Sequence, residues 1–262
     1  MNSNSAVFFA LLRRDLHVMK KNILGDMIDA MIYMVITLIV FGKLLPLIGM
    51  KPAFIAPLYI GSSLFFTLAT RGYALAMTIV YKIAFENLGL FGYHLTLPID
   101  RKWLFAEYVT YFVIETCILT LPLLLIGTYI LTTFIDLTIY SWPLFLCMYL
   151  LMVILFGLFF IGSAFTYSFH WFRANLWPRR IDFFMVFSST FFPWQAVHNF
   201  SPIVSYIMLL NPITYAMEGM RNALFGTPIP IPLWFCMLVM VMSIGICGLW
   251  LHAGIRKTID PI

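Results

Sequence analysis

Residues 209–226 read LLNPITYAMEGMRNALFG and lie between long apolar stretches. The Asn211–Pro212 step disfavours helix at Asn211 and lets a new helix begin at Pro212. Glu218 and Arg221 then fall on one face of that helix, close enough to pair. Gly226 and the prolines after it end the helix. The pattern predicts a short amphiphilic helix that is too polar to cross lipid and is held between two membrane spans.

The rest of the chain is dominated by apolar residues. Of its 262 residues 62% are hydrophobic and only 10% are charged, whereas about a quarter of the residues of a soluble domain are charged. Lipid accepts that much apolar surface directly, so we predict an all-α integral membrane protein with a single domain over residues 1–262. At roughly 20 apolar residues per span, the length leaves room for about six transmembrane helices.

Apolar stretches set the predicted spans, which cover residues 28–45, 54–81, 104–130, 142–169, 183–200 and 233–252. Pro193 lies inside the fifth stretch and is expected to break it. Short extracellular re-entrant helices are predicted over 203–226, before the last span.

The N-terminal stretch over 6–23 predicts an amphipathic interfacial helix. At 100° per residue its apolar residues share one face and its basic residues gather on the opposite face. The apolar face holds Phe8, Leu12, Leu16, Met19 and Ile23, and the basic face holds Arg13, Arg14, His17, Lys20 and Lys21. Such a helix lies on the membrane with its basic side toward anionic headgroups. A basic flank that only fixes the orientation of the first span is a compatible interpretation.

Basic residues are distributed unevenly among the predicted loops. Those at 13–21, 82–102, 173–180 and 256–257 fall on one side of the membrane if the chain has the predicted spans. The opposite loops hold Lys43 and Lys51, and the short helix adds Arg221. The positive-inside rule therefore predicts cytoplasmic N- and C-termini. Because the basic residues are scattered in short loops, the net charge of +5 does not indicate nucleic-acid binding.

Catalytic and nucleotide-binding motifs are missing from the sequence. It has no G-x-x-x-x-G-K-[ST] loop, so we expect no ATP hydrolysis by this chain itself. The histidines and cysteines have no metal-type spacing, and no G-x-S-x-G elbow precedes a helix. We therefore expect no catalytic residue, no metal site and no cofactor in this chain.

Two charged residues, Arg71 and Glu115, lie inside the predicted second and third spans. Antiparallel neighbouring helices with a rise of about 1.5 Å per residue would bring them to nearly the same depth. A charge at that depth requires a partner or a wet cavity. We predict that Arg71 and Glu115 either pair or both face a translocation path; a purely structural ion pair fits the sequence equally well.

The loop over 82–102 is unusually apolar for a cytoplasmic loop. It predicts a short helix closed by Pro98, with apolar side chains at Leu88, Leu90, Phe91 and Tyr93. A small exposed apolar helix indicates a protein partner. The alternative is that this loop lies in the headgroup region.

With these features in place, the chain resembles the membrane-spanning permease subunit of type-2 ABC exporters, a family that exports drugs, lipids and polysaccharides. Asn211-Pro212 with Tyr215 and Arg221 resembles the family's Asn-Pro-x-x-Tyr…Arg signature before the last span. Glu86 with Leu95-Thr96-Leu97-Pro98-Ile99 resembles the Glu…Leu-x-x-Pro-Ile pattern of its first cytoplasmic loop. The likeness covers nearly the whole chain, although Ser188-Ser189-Thr190 stands where the family often has a glycine.

The resemblance implies a division of labour among subunits. Two copies of a separate ABC ATPase would bind ATP and magnesium, and a second permease subunit would complete a homodimer in the bacterial inner membrane. The ATPase would receive a coupling helix that includes Glu86, Leu88, Leu90, Phe91 and Tyr93. A gating helix at the exit would include Asn211, Pro212, Tyr215, Glu218 and Arg221.

Two other functional classes stay open for an apolar chain of this kind. A secondary transporter or channel independent of an ATPase is disfavoured because the halves show no inverted repeat. A membrane-embedded enzyme is disfavoured because the sequence offers no polar triad or metal set. The substrate is also open, since aromatic residues make up 18% of the chain and either stack on sugars or form interfacial belts.

Overall fold

A computed structural model of the chain describes residues 3–40, 44, 47, 49, 55–85, 100–132, 141–226 and 231–259. Regular structure in these residues is helical, and none of them forms a strand. The longer helices are α1 (Ser3–Ile39), α2 (Ile55–Phe85), α3 (Arg101–Thr132) and α4 (Trp142–Thr166). Short helices follow as α5 (Phe169–Leu176), α6 (Asp182–Val186), α7 (Trp194–Phe200) and α8 (Pro202–Met208). Helix α9 (Pro212–Phe225) comes next, and α10 (Leu233–Ile259) is again a long helix.

Four helices in the described part of the chain are long and apolar enough to cross a membrane. These segments are Leu64–Phe85, Lys102–Pro122, Trp142–Thr166 and Leu233–Ile255, within α2, α3, α4 and α10. They coincide with the predicted second, third, fourth and last spans. The protein is therefore all-helical and has the helices of a membrane protein, as its composition predicts.

Helix α4 forms the centre of the fold. It is apolar all round, which is typical of a helix enclosed by others, and it packs against α2, α3, α9 and α10. Its side chains Phe145, Tyr149 and Phe160 are fully buried. Glycines on the neighbouring helices permit the close approach, because a Cβ at Gly72 of α2 would overlap the Phe160 ring.

Helix α1 joins two elements that the sequence predicts as separate. The predicted interfacial helix over 6–23 and the start of the predicted first span form one continuous helix. No proline lies between them, and Gly25 alone costs a helix only about 1 kcal/mol, which is too little to break it. Helix α1 packs along α3, and its Asn4 amide donates to the Asp100 carboxylate at 2.7 Å. The two helices therefore begin at the same end of the molecule.

The predicted fifth span over 183–200 is not one helix. Helix α6 ends at Val186 and α7 begins at Trp194, directly after Pro193. Between them Ser189 adopts a left-handed backbone conformation with φ 58°, which is uncommon for a residue with a Cβ. Upstream, the predicted basic loop over 173–180 is helical, since α5 runs into a π-helical turn at Trp177–Ile181. The break at Pro193 is as predicted, but the segment folds as short helices around a turn.

Replacement of Gly72 by alanine tests the tight contact between α2 and α4. We expect Gly72→Ala to lower the free energy of unfolding by roughly 1–3 kcal/mol, because the added methyl group must displace a packed ring. Thermal unfolding of the detergent-solubilised protein measures this change. The matched control is Gly245→Ala on α10, where nothing lies within 4 Å of the added Cβ; equal losses in both variants would contradict this packing.

Candidate functional site

The start of α9 is fixed by Asn211. Its side-chain oxygen accepts a hydrogen bond from the backbone N–H of Ile213 at 3.1 Å, which makes it the N-cap that an Asn-Pro step favours. Its amide nitrogen donates to the carbonyls of Phe184 at 2.9 Å and Phe187 at 3.0 Å. Asn211 therefore ties the start of α9 to the end of α6.

The first turn of α9 adds further ties to the preceding chain. The hydroxyl of Thr214 donates to the carbonyl of Met208 at 2.6 Å, and that of Tyr215 donates to the carbonyl of Leu209 at 3.0 Å. Burial raises the pKa of the Tyr215 phenol, so this group remains a donor. Gly226 ends α9 in a left-handed conformation with φ 60°, as the sequence predicts for a helix C-cap.

Glu218 and Arg221 form a buried ion pair on α9. The Arg221 Nη1 atom lies 2.7 Å from Glu218 Oε1, and the two residues are 5% and 3% exposed. The predicted ion pair is thus confirmed, and both of its side chains are buried inside the protein. Burial lowers the pKa of the Arg221 guanidinium and the Glu218 carboxylate counters this effect, so Arg221 stays charged.

The turn over 188–190 closes around this ion pair. Arg221 Nη1 donates to the Ser189 hydroxyl at 2.8 Å, and Nη2 donates to the carbonyls of Ser189 and Thr190. The Glu218 carboxylate accepts from the Ser189 hydroxyl and, at 2.9 Å, from the backbone N–H of Trp194. We call Ser189, Thr190, Glu218 and Arg221 the buried polar cluster. These hydrogen bonds stabilise the left-handed conformation of Ser189, in which both carbonyls face the guanidinium.

Contacts on the outer side of the turn connect this cluster to other helices. A Cβ at Gly61 of α2 would overlap the Thr190 carbonyl, so α2 runs directly against the turn. The Trp194 indole donates to the carbonyl of Ser205 on α8 at 2.9 Å and its ring stacks on His198. At the other end of α9, the N–H of Ser141 donates to the Ala223 carbonyl at 2.8 Å. The turn, α9 and Trp194 at the start of α7 therefore contact α2, α4 and α8.

The buried polar cluster is suited to hold the turn and α9 in a fixed position. Glu218 and Arg221 neutralise each other, and Glu218 Oε1 and both terminal nitrogens of Arg221 hydrogen-bond to the turn, to Trp194 or to each other. Arg221 Nε has no partner among the described residues. A catalytic acid or base needs access to a reacting proton, and these buried side chains offer none. Gating through a movement of the turn and α9 as one unit is compatible with this arrangement.

A second charged site lies between α1, α2 and α3. Arg71 Nη1 is 2.8 Å from Asp26 Oδ1, with both side chains about three-quarters buried. The ion-pair partner of Arg71 among the described residues is therefore Asp26 and not Glu115, and the alternative prediction, that Arg71 and Glu115 both face a path, stays a prediction. Glu115 still lies within electrostatic reach of both Arg71 and Asp26, which agrees with the predicted common depth. The sequence did not indicate Asp26 as the partner of Arg71, because it predicts an interfacial helix over 6–23 and a separate span that starts at residue 28, just after Asp26.

Glu107 on α3 is a further buried charge that sequence reasoning missed. It is fully buried, and neither of its carboxylate oxygens hydrogen-bonds to a described residue. The charged groups around it are Arg14 and Asp15 of α1, which form an ion pair at 2.7 Å. Helical spacing was the available signal, since Glu107 lies three residues after the buried Leu104 and therefore on the same face of α3.

The remaining predicted site residues belong to the coupling loop. Glu86, Leu88, Leu90, Phe91 and Tyr93 of the predicted coupling loop lie outside the described residues. Within the described ranges, no group of three or more His, Cys, Asp or Glu residues is arranged to hold a metal ion.

Comparison of the chain with protein-family models, with curated proteins and with solved structures finds no match in any of the three. The residues and their geometry are therefore the basis for a functional proposal.

A double-mutant cycle on α9 tests the buried ion pair. We expect Arg221→Met alone to lower the free energy of unfolding by about 3–5 kcal/mol, because it leaves the Glu218 carboxylate buried without a cation. Glu218→Leu together with Arg221→Met should cost less than the sum of the two single changes. Chemical denaturation in detergent measures all four proteins. Additive losses would show that the two side chains are not coupled.

The second charged site gives a different expectation. Arg71→Gln and Asp26→Asn should each destabilise the protein by about 1.5–3 kcal/mol, because each removes one member of a charged hydrogen bond. Their combination should be less than additive. Glu115→Gln should be close to neutral, since it removes the carboxylate that Arg71 does not contact. Thermal unfolding compares the variants, and a larger loss in Glu115→Gln than in Asp26→Asn would contradict this assignment.

Proposed function

We propose that this chain is the membrane permease subunit of an ATP-driven exporter of the type-2 ABC kind. Its four long apolar helices and the one-sided distribution of basic residues suit a multi-pass protein of the bacterial inner membrane with cytoplasmic termini. The second half of α1 and the broken segment over 183–200 would complete six spans. A drug, a lipid or a polysaccharide is the substrate class that the resemblance suggests.

The observation that carries this proposal is the helix α9. Asn211, Tyr215 and Arg221, the residues that resemble the family signature, act in α9 as cap, tether and buried cation, and Gly226 ends the helix. A short helix that is hydrogen-bonded to the preceding break would move together with it, and such a unit is suited to close an exit. Residues conforming to a motif by chance would not be expected to meet in one network.

Energy for export would come from elsewhere. The sequence has no phosphate-binding loop, so ATP and magnesium belong to a partner ATPase present in two copies. In this proposal the loop that contains Glu86, Leu90 and Phe91 seats in that ATPase. A second copy of the permease supplies the other half of the path, and closure of the ATPases moves the paired spans as rigid bodies.

Copurification tests the proposal most directly. The protein solubilised in mild detergent from its native membrane should bring down an ATPase that carries a phosphate-binding loop. Replacement of Glu86, Leu90 and Phe91 by alanine should abolish this binding, because these side chains form the expected docking face. Mass spectrometry of the purified complex identifies the partner.

The matched control is a second triple variant, which removes as much apolar surface at the opposite end of the protein. Ile203, Tyr206 and Leu210 are exposed on α8 and after it, on the predicted extracellular side. Their replacement by alanine should leave ATPase binding intact. Equal loss of ATPase in both triple variants would contradict a specific coupling loop, and no ATPase with the wild-type protein would contradict the exporter itself.

A gradient-driven transporter is the second candidate, and the Asp26–Arg71–Glu115 site is the observation that favours it. Two carboxylates and one cation between apolar helices form the kind of group that takes up a proton or a metal cation during transport. Substrate uptake that collapses when the ion gradient is dissipated, in vesicles that contain no ATP, would support this candidate over the exporter.

A further inference from the structure

A large groove opens between α3, α4 and α10. Its volume is about 1170 Å³, above the range of about 300–1,000 Å³ that is usual for small-molecule sites. The inner wall is apolar and includes Val109, Val113, Leu158 and Leu251. A cavity of this size and lining accepts a long apolar chain.

The mouth of the groove carries polar groups that the apolar wall does not. Lys102, Asp100 and His252 line it, and Lys102 and His252 are solvent-exposed with no ion pair to a described residue. The Asp100 carboxylate accepts a hydrogen bond from Asn4 with one oxygen. Trp103, beside them, is 43% exposed, as tryptophan is at a membrane–water interface. One end of the groove thus offers a cation, an anion and a donor.

The length of the groove matches one leaflet of a bilayer. The α3 residues that line it, from Lys102 to Val113, recur at helical spacing on one face. At about 1.5 Å per residue they cover roughly 16 Å, which is half of the hydrocarbon thickness of about 30 Å. A molecule with its polar end at Lys102 would therefore reach the middle of the membrane.

We propose that this groove binds one phospholipid whose headgroup carries a primary ammonium. Its phosphate pairs with Lys102 and accepts a hydrogen bond from His252, its ammonium faces Asp100, and one acyl chain lies along α3 between α4 and α10. The opposite charges at the mouth fit a zwitterionic headgroup better than a purely anionic one. Choline also carries a positive charge but has no N–H to donate to the carboxylate.

Gly248 makes room for the acyl chain. It lies on α10 in the groove wall, and nothing is within 4 Å of the position that its Cβ would take. A leucine at this position projects into the open space without displacing protein atoms. Gly245 is the matched position, because its Cβ also meets nothing within 4 Å although it does not line the groove.

Native mass spectrometry tests the site on the full-length protein. The protein is reconstituted in vesicles that contain equal parts of phosphatidylethanolamine, phosphatidylglycerol and phosphatidylcholine, and is then released into detergent. We expect one phosphatidylethanolamine retained per chain. Gly248→Leu should reduce this retention about tenfold or more, whereas Gly245→Leu should leave it unchanged.

Variants at the mouth separate headgroup recognition from chain burial. Lys102→Gln should weaken retention of every phospholipid about tenfold, as expected for loss of a charged hydrogen bond. Asp100→Asn should abolish the preference for phosphatidylethanolamine over phosphatidylglycerol. Unfolding temperatures of all variants, measured in parallel, establish that they are folded.

Three results would overturn the assignment. The first is equal retention of the three lipids by the wild-type protein, and the second is unchanged retention in Gly248→Leu. The third is a lipid-free dimer that Gly248→Leu dissociates, because such a dimer would mean that a second copy of the chain fills the groove. The site uses none of the residues proposed for gating or coupling. The result of the lipid-binding experiment is therefore independent of the exporter proposal.

Discussion

The constraint on which the described fold depends is the burial of Arg221. A guanidinium removed from water requires a counter-charge and acceptors for its donors. Glu218 supplies the charge from the same helix, but the acceptors come from the Ser189 and Thr190 carbonyls of a separate segment. Those carbonyls are available only because the chain turns at Ser189. One buried side chain thus holds the turn between the end of α6 and Pro193, where α7 begins.

Polar contacts determine the relative positions of these segments because apolar contacts alone hardly distinguish one arrangement of membrane helices from another. Lipid tails solvate a leucine as well as another helix does, so helices associate through close packing and hydrogen bonds. In this protein the close packing occurs at glycines such as Gly72 and Gly219, the latter with its Cβ position 2.5 Å from Met148 Cε. The hydrogen bonds fix position, as Asn4 does between α1 and Asp100. A small number of residues therefore determines how the long helices align.

Sequence reasoning succeeded where the determinant is local. Asn211-Pro212 and Gly226 fix both ends of α9, the i,i+3 spacing brings Glu218 to Arg221, and apolar length identifies the four long helices. It failed where the determinant is distant in sequence. Asp26 reaches Arg71 only because α1 continues through Gly25 as one helix, and the turn at Ser189 exists because of a cation 32 residues later. Hydropathy and helical periodicity contain no information on either contact.

The two charged sites differ in what they permit. In the buried polar cluster a single carboxylate balances a single cation, so the loss of either charge would leave the other unbalanced in an apolar interior. At Arg71 there are two carboxylates for one cation, and the side chains of Arg71 and Asp26 are 20% and 28% exposed. Glu115 can therefore gain a proton or a cation while the Arg71–Asp26 pair stays intact. In the proposed transport cycle a change of charge would therefore be tolerated at the second site and not at the first, which assigns any charge-linked step of that proposal to α1, α2 and α3.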